Sequence, residues 1–161
     1  MEEYHLPLQV KQVLAQGRES TKKVVLVTGV FDLLHQEHIK FLQKAKQEGD
    51  LLLVALETDE RVRAIKGKNR PVNDQKTRLN NLRKIGLADA VFLLPESFDD
   101  SEEHRAFIRK TKPDLLAVSS HTPHLEAKRS IMAEAGGKLK IVYQQNPNVS
   151  TSKLIKEQQK S

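Results

Sequence analysis

The sequence predicts a single α/β domain built on a doubly wound, five-stranded parallel sheet. Five short apolar segments of strand length alternate with amphipathic segments of helical period along the chain. The segments 24–27 and 51–56 are continuously apolar, as expected for strands that helices cover on both faces. The length of 161 residues suits one domain of this Rossmann-like class, and the sequence contains no internal repeat.

The N-terminal part predicts a helix followed by a strand–helix–strand unit. A helical extension is predicted over 1–20, and its apolar face consists of Leu6, Val10, Val13 and Leu14. The main domain is predicted over 21–161, beginning with a strand over 22–28. The next helix is indicated by Ile39, Phe41, Leu42 and Ala45. Gly49 and Asp50 end it before a second strand over 51–56.

The rest of the chain continues the alternation. The polar and basic segment 63–73 predicts a mobile loop, after which a helix begins at Asp74 and ends at Gly86. The remaining strands are predicted over 90–94, 115–119 and 139–143. The remaining helices are predicted over 102–110, over 125–135 and from a cap at 150–152 to Gln159.

The composition excludes several classes of protein. With no cysteine, the chain has no disulfide, thiolate metal site or thiol nucleophile, which fits a reducing compartment. Its apolar runs are far shorter than the roughly 20 residues of a membrane-spanning helix, so no membrane partner is expected. The N-terminal segment MEEYHLPLQV does not resemble a signal peptide. We therefore expect a cytoplasmic protein.

The net charge of +6 leaves several partners open, because basic surfaces also serve solubility. Aromatic residues make up 4% of the chain and none is Trp, which argues against stacking on single-stranded nucleic acid. Small phosphorylated ligands are therefore the favoured partners. In a doubly wound sheet such ligands bind beyond the carboxyl ends of the strands, here after Thr28, Leu56, Ser119 and Tyr143.

The first candidate motif is TGVFDLLHQEH, residues 28–38. His35 and His38 are three residues apart at the start of a helix, where their rings can donate hydrogen bonds to a phosphate. Gly29 permits close approach of the backbone to such a ligand. A capped helix with two incidental histidines is an alternative explanation. A metal site is another, although the sequence identifies no further ligand for it.

Two further motifs follow the second and fifth predicted strands. Segment 57–73 carries Lys66, Lys68 and Arg70 in the predicted mobile loop, and Arg78 lies in the next helix. The Ser/Thr cluster at 150–152 offers hydroxyl and backbone N–H groups to phosphates. A solvated loop and an ordinary helix cap are the respective alternatives. After the fourth strand, the same choice between ligand contact and solvated surface applies to His121, His124, Lys128 and Arg129.

The three motifs resemble those of one enzyme superfamily. Segment 28–38 resembles the GxFDxxHxGH signature of nucleotidyltransferases, which include cytidylyltransferases and the adenylyltransferases of cofactor and sugar-nucleotide synthesis. Segment 57–78 resembles the (S/T)D…KGxxRPVN…R block of heptose 1-phosphate adenylyltransferases and of glycerol-phosphate and ethanolamine-phosphate cytidylyltransferases. Segment 149–153 is similar to the closing motif, (I/V)STT or (I/V)STS before Lys or Arg. The resemblance covers about 24–155.

The resemblance implies a role for each matching residue. The implied catalytic residues are His35, His38, Lys66 and Arg78. The implied nucleotide contacts are Thr28, Gly29, Val30, Phe31, Glu37, Asp59, Ser150, Thr151 and Ser152. The acceptor contacts are predicted to be Asp32, Arg70, Ser119 and His121. No metal ligand of the protein is predicted, because Mg²⁺ is expected mainly on phosphate oxygens.

Three segments depart from the family pattern. Glu37 occupies the Gly position of HxGH, which in the family lies close to the nucleotide base. Segment 117–122, AVSSHT, aligns with VKGGDY of the heptose enzymes but lacks its Lys, glycines and Asp. Gln145 stands where the glycerol-phosphate enzymes carry an Arg. The nucleotide and the acceptor are therefore expected to differ in detail.

The function implied is transfer of AMP or CMP from ATP or CTP to a phosphorylated sugar or polyol, with release of pyrophosphate. The attacking phosphate is already anionic at neutral pH, so alignment and charge stabilisation suffice without a general base. The alternative is a nucleotide-binding or regulatory module that has lost turnover through Glu37. The family resemblance also implies a homodimer, and nucleic acid is not an expected partner.

Overall fold

The computed structural model describes residues 3–98 and 100–144. Five strands and six helices alternate within these residues. The helices are α1 Leu8–Glu19, α2 Gln36–Gln47, α3 Asp59–Lys66, α4 Gln75–Ile85, α5 Ser101–Thr111 and α6 Leu125–Glu134. The strands are β1 Val24–Gly29, β2 Leu51–Leu56, β3 Ala90–Leu93, β4 Leu115–Ser119 and β5 Lys138–Tyr143.

The five strands form one parallel sheet in the order β3-β2-β1-β4-β5. The chain runs outward from β1 to β3 on one side and then crosses to β4 and β5 on the other. The predicted doubly wound α/β sheet of five parallel strands is thus confirmed. The order reverses between β1 and β4, and a crevice for ligands forms at such a point in this class of sheet.

Each strand contributes alternate side chains to two apolar cores, because successive side chains of a strand point to opposite faces. One core contains Val24 and Leu26 and is covered by α1, α5 and α6. The other contains Val25 and Val27 and is covered by α2 and α4. The helix predicted in the extension is α1, and its buried Val10 and Leu14 belong to the first core.

Aspartates fix the amino ends of the central strands. Asp114 accepts a hydrogen bond from the backbone N–H of Val24 at 2.8 Å, and Asp89 accepts one from that of Leu52 at 2.8 Å. These bonds satisfy backbone donors at the edge of the sheet away from the crevice. The carboxyl ends of the strands carry the motif residues, so anchoring and ligand contacts are divided between opposite edges.

The main correction to the predicted elements concerns the basic segment after β2. A mobile loop is predicted up to residue 73, but residues 59–66 form α3. The side chain of Thr58 caps this helix by accepting from the backbone N–H of Arg61. Acidic residues in its first turn and basic residues in its last complement the helix dipole. Lys66 is therefore held at the end of a helix, and the connection to α4 is shorter than predicted.

Two other expectations stay predictions. The predicted last helix, its cap at Ser150, Thr151 and Ser152, and Gln145 lie outside the described residues. The sequence boundary between an extension and a main domain at residue 20 stays a prediction. Within 3–98 and 100–144, every helix is too short or too polar to cross a lipid bilayer.

Candidate active site

A cavity of about 360 Å³ lies at the carboxyl ends of β1, β4 and β5, beside the first turn of α2. Of the predicted nucleotide contacts, those that line it are Thr28, Gly29, Val30, Phe31 and Glu37. The other predicted site residues in its wall are His35, His38, Lys66 and Ser119. The cavity therefore brings together parts of the first two motifs with the end of β4.

His35 forms the start of α2. Its Nδ1 accepts a hydrogen bond from the backbone N–H of Glu37 at 3.2 Å, so the imidazole caps the helix. A neutral imidazole whose Nδ1 accepts carries its proton on Nε2. That Nε2 is buried, and no described residue accepts a hydrogen bond from it. His35 thus offers an unused donor at the cavity, which a capped helix alone would not require.

His38 packs directly against His35. The two rings stack with centroids 3.8 Å apart and planes 20° apart, and the ring of Phe31 lies 5.3 Å from that of His38. Burial lowers the pKa of His38 to about 4, and the neighbouring His35 adds to the shift. Burial also lowers the pKa of His35, against a smaller opposing effect of Glu37. Both imidazoles are therefore neutral hydrogen-bond donors at neutral pH.

The lowered pKa of His38 predicts a pH-dependent stability. Between about 4 and the ordinary value of 6.5, the unfolded chain binds more protons than the folded chain, so the free energy of unfolding falls as the pH drops. From pH 7.5 to 5.0, we expect wild type to lose about 2 kcal/mol more than His38→Asn. Urea denaturation of both proteins at each pH measures this difference. Parallel losses in the two proteins would contradict it.

Lys66 brings positive charge to the mouth of the cavity. It lies in the last turn of α3, and Gly67, with φ of 104°, ends the helix directly after it. Partial loss of water lowers the pKa of Lys66, and Arg70 adds to the effect while Asp32 opposes it. An ammonium that is only partly hydrated interacts more strongly with an incoming phosphate. The position of Lys66 fits the predicted contact with phosphate.

Asp32 and Arg70 are placed differently from the prediction that they contact the acceptor. The carboxylate of Asp32 is fully buried and accepts from the backbone N–H groups of Val72 and Asn73, each at 2.8 Å. Its third contact is with Nε of Arg70, at 3.3 Å. These bonds hold the segment before α4 against the segment after β1. Asp32 therefore holds these two segments together and does not itself line the cavity.

Arg78 also differs from the expectation of direct substrate contact, because its side chain is 0% exposed. Its Nη1 donates to the carbonyl oxygens of Val30 at 3.1 Å and Glu57 at 2.8 Å. Its Nε donates to that of Asn73 at 3.1 Å, and its Nη2 contacts Asp59 at 2.8 Å. The guanidinium thus joins the chain after β1, the end of β2 and the segment before α4. Asp59, predicted near the nucleotide, is its ionic partner.

Two of the remaining predictions concern residues after β4. His121 is exposed and does not line the cavity, whereas Lys128, which also fits a solvated helix face, does. Burial lowers the pKa of Lys128, against an opposing effect of Glu57. Lys128 and Glu57 also border an adjoining cavity of about 70 Å³, whose walls are largely apolar. Lys128 lines the cavity because of the position that α6 takes after β4, and the sequence alone does not supply this position.

The described residues contain no group of three side chains that could hold a metal ion. The cavity wall carries two carboxylates, those of Glu37 and Glu57, beside imidazoles and lysines, whereas Mg²⁺ prefers a larger set of grouped oxygen ligands. They do not fit a resident magnesium site. Magnesium is therefore expected to arrive on the nucleotide substrate.

Comparison with known proteins identifies relatives of the chain. Residues 26–157 match the family model described as cytidylyltransferase-like. The bifunctional protein HldE of Actinobacillus pleuropneumoniae serotype 5b (strain L20) is 32% identical over 154 residues, which are 95% of this chain and 31% of HldE. HldE of Campylobacter curvus (strain 525.92) is 40% identical over 108 residues, 67% of this chain and 22% of HldE. The chain spans less than a third of these curated relatives.

Solved structures agree with the fold. The lipopolysaccharide core biosynthesis protein from Thermoplasma volcanium GSS1 superposes with a TM-score of 0.63 at 27% identity, covering 78% of this chain and 98% of that one. Pantoate-beta-alanine ligase from Francisella tularensis shares the fold, with a TM-score of 0.57 at 14% identity over 93% of this chain and 75% of that one. The matches of sequence and fold extend over most of the chain. It therefore belongs to the cytidylyltransferase-like family of nucleotidyltransferases.

Proposed function

We propose that the chain transfers AMP or CMP from ATP or CTP to a phosphorylated sugar or polyol and releases pyrophosphate. The observation that carries this proposal is the free Nε2 donor of His35, buried at a cavity that Lys66 borders. A neutral donor and a cation at one cavity suit the charge that develops during phosphoryl transfer. Family membership supports the same class of reaction.

In the proposed reaction, a phosphate oxygen of the acceptor attacks the α-phosphorus of the nucleotide. A new P–O bond forms as the bond from the α-phosphorus to the bridging oxygen breaks, and the electron pair leaves with pyrophosphate. The acceptor phosphate is already ionised, so no proton has to be removed from it. The protein has to align two anions that repel each other and to stabilise the transition state.

The described residues divide these tasks. Nε2 of His35 donates to a phosphate oxygen and Lys66 supplies positive charge, while His38 packs against His35 and keeps its ring in place. Lys128, which also lines the larger cavity, supplies a second cation for the acceptor phosphate. Arg78 and Asp59 are positioning residues, because they join the segments that carry these groups.

Magnesium is proposed to arrive on the triphosphate and to neutralise part of its charge. The proposed acceptor class draws on the relatives: one solved relative is described as a lipopolysaccharide core biosynthesis protein. A sugar phosphate is therefore the first acceptor to test.

Glu37 favours a second candidate function, a nucleotide-binding module without turnover. Its carboxylate in the cavity wall repels phosphate, which opposes the approach of a second, phosphorylated substrate.

The proposal is tested by pyrophosphate release from the purified chain with Mg²⁺, ATP or CTP, and a panel of sugar and polyol phosphates. We expect release that depends on both substrates, and a drop in kcat/KM of about 100-fold in Lys66→Met. Lys40→Met is the matched control, because Lys40 is exposed on α2 and does not line the cavity. Nucleotide binding without release for any acceptor would favour the second candidate.

A further inference from the structure

Glu37 is a buried acidic residue, and one of its carboxylate oxygens, Oε2, has no hydrogen-bond donor. Its side chain belongs to the first turn of α2, is 9% exposed and lines the cavity. Among the described residues, none donates a hydrogen bond to its Oε2. A buried acceptor that lacks a donor costs free energy, more so when it is charged. A ligand group that supplies the missing donor would remove this cost.

Among the described residues, neither Lys66 nor Lys128 forms an ion pair with Glu37. The backbone N–H of Glu37 donates to Nδ1 of His35, but this bond leaves the carboxylate unpaired at Oε2. Negative charge on the carboxylate of Glu37 disfavours a phosphate beside its Oε2, whereas the proposed function places the phosphates at Nε2 of His35 and at Lys66.

The position of Glu37 indicates which part of a nucleotide meets it. Phe41 lies one turn further along α2, on the same helical face, and also lines the cavity. The helix α2 packs against β4 and β5, and Ala117 and Tyr143 of these strands belong to the same cavity wall. Apolar and aromatic side chains of this kind suit a flat ring, whereas Lys66 borders the cavity at the end of α3 and suits the phosphates.

We propose that Glu37, Phe41 and Tyr143 form a subsite for a nucleobase with an exocyclic amino group, which donates a hydrogen bond to Oε2 of Glu37. This inference rests on the proposed function and extends it to a residue that selects the base. A keto oxygen in place of the amino group brings an acceptor against an acceptor. The subsite therefore favours cytosine over uracil and adenine over hypoxanthine.

Matched nucleotide pairs test the amino group. CTP and UTP differ at C4 and in the proton on the adjacent N3, and ATP and ITP differ in the same way at C6 and N1. Titration calorimetry with Mg²⁺ therefore compares members of equal size and charge, and tighter binding of UTP or ITP, through the ring N–H, would overturn the subsite. For the pair whose ring the subsite accommodates, we expect the nucleotide with the amino group to bind wild type about 10- to 100-fold more tightly than the nucleotide with the keto group. In Glu37→Gln, whose amide both donates and accepts, we expect the ratio to fall to about threefold or less.

The control is Glu60→Gln, because Glu60 is exposed on α3 and does not line the cavity. It is expected to keep the wild-type ratio, and thermal melts check that both variants are folded. Equal binding within each pair would overturn the subsite and leave the proposed function standing. Equal weakening of all four nucleotides in Glu37→Gln would also overturn it, since a ribose contact predicts that result. Absence of binding by every nucleotide would overturn both proposals.

Discussion

His35→Asn is expected to lower kcat/KM for pyrophosphate release about 100- to 1,000-fold, as for loss of one preorganised donor to a developing oxyanion. Asparagine is a good helix cap and replaces the function of Nδ1, which accepts from the backbone of Glu37. It has no counterpart of Nε2, the buried donor that the described part of the chain leaves unused. The substitution therefore removes the proposed catalytic contact while keeping the start of α2.

The measurement is steady-state pyrophosphate release with the nucleotide and acceptor that give turnover in wild type. His5→Asn is the matched control, because His5 is exposed and lies outside the cavity wall. We expect kcat to account for most of the loss in His35→Asn, since the contact strengthens in the transition state. A kcat/KM within about threefold of wild type, in a variant with wild-type melting temperature, would show that Nε2 takes no part in turnover.

Arg78→Lys is expected to lower the free energy of unfolding by about 3–5 kcal/mol. The guanidinium is fully buried and donates to three backbone carbonyl oxygens as well as to Asp59. Lysine retains the charge but has a single nitrogen, which cannot reach acceptors arranged around a planar fork. At least some of these buried acceptors then lose their donor, and each carries a desolvation cost.

Urea denaturation at neutral pH measures this loss. The matched control is Arg63→Lys, because Arg63 is exposed on α3, and its expected effect is within about 0.5 kcal/mol. Asp59→Asn combined with Arg78→Lys should cost less than the sum of the single changes, because the two side chains share one contact. If Arg78→Lys loses less than about 1 kcal/mol, the buried arginine does not hold the three segments together.

The sheet could be predicted because its strands are strongly patterned. The continuous run 51–56 is buried on both faces, so hydrophobicity alone marks it, and Asp74 and Gly86 mark the two ends of α4. The helix α3 lacks such a signal. Only Val62 is buried in it, and Ile65 is 53% exposed, so its apolar pattern is weak although Thr58 caps it. Its basic residues favour a loop, whereas residues 59–66 are helical.

The candidate site could be predicted in place but not in detail. Motif order and the rule for parallel sheets locate the cavity at the carboxyl ends of the strands, where the structure has it. The burial of Arg78 and Asp32 could not be predicted, because both types of side chain are usually exposed. Most of their partners are main-chain groups from distant segments, and no sequence pattern encodes such contacts. Lys128 reaches the cavity through the same kind of tertiary placement.

The hydrogen bonds of Arg78 divide the segments around the cavity into two groups, which differ in how far their lengths can change during evolution. The segments around Val30, Glu57 and Asn73 share one guanidinium, so an insertion in any of them displaces acceptors that belong to the others. Within the described residues, the connection from β4 to α6 accepts no hydrogen bond from Arg78. We therefore expect changes of loop length among relatives to accumulate between 120 and 124. New acceptor preferences would then arise on that side, while the segments joined by Arg78 keep their lengths.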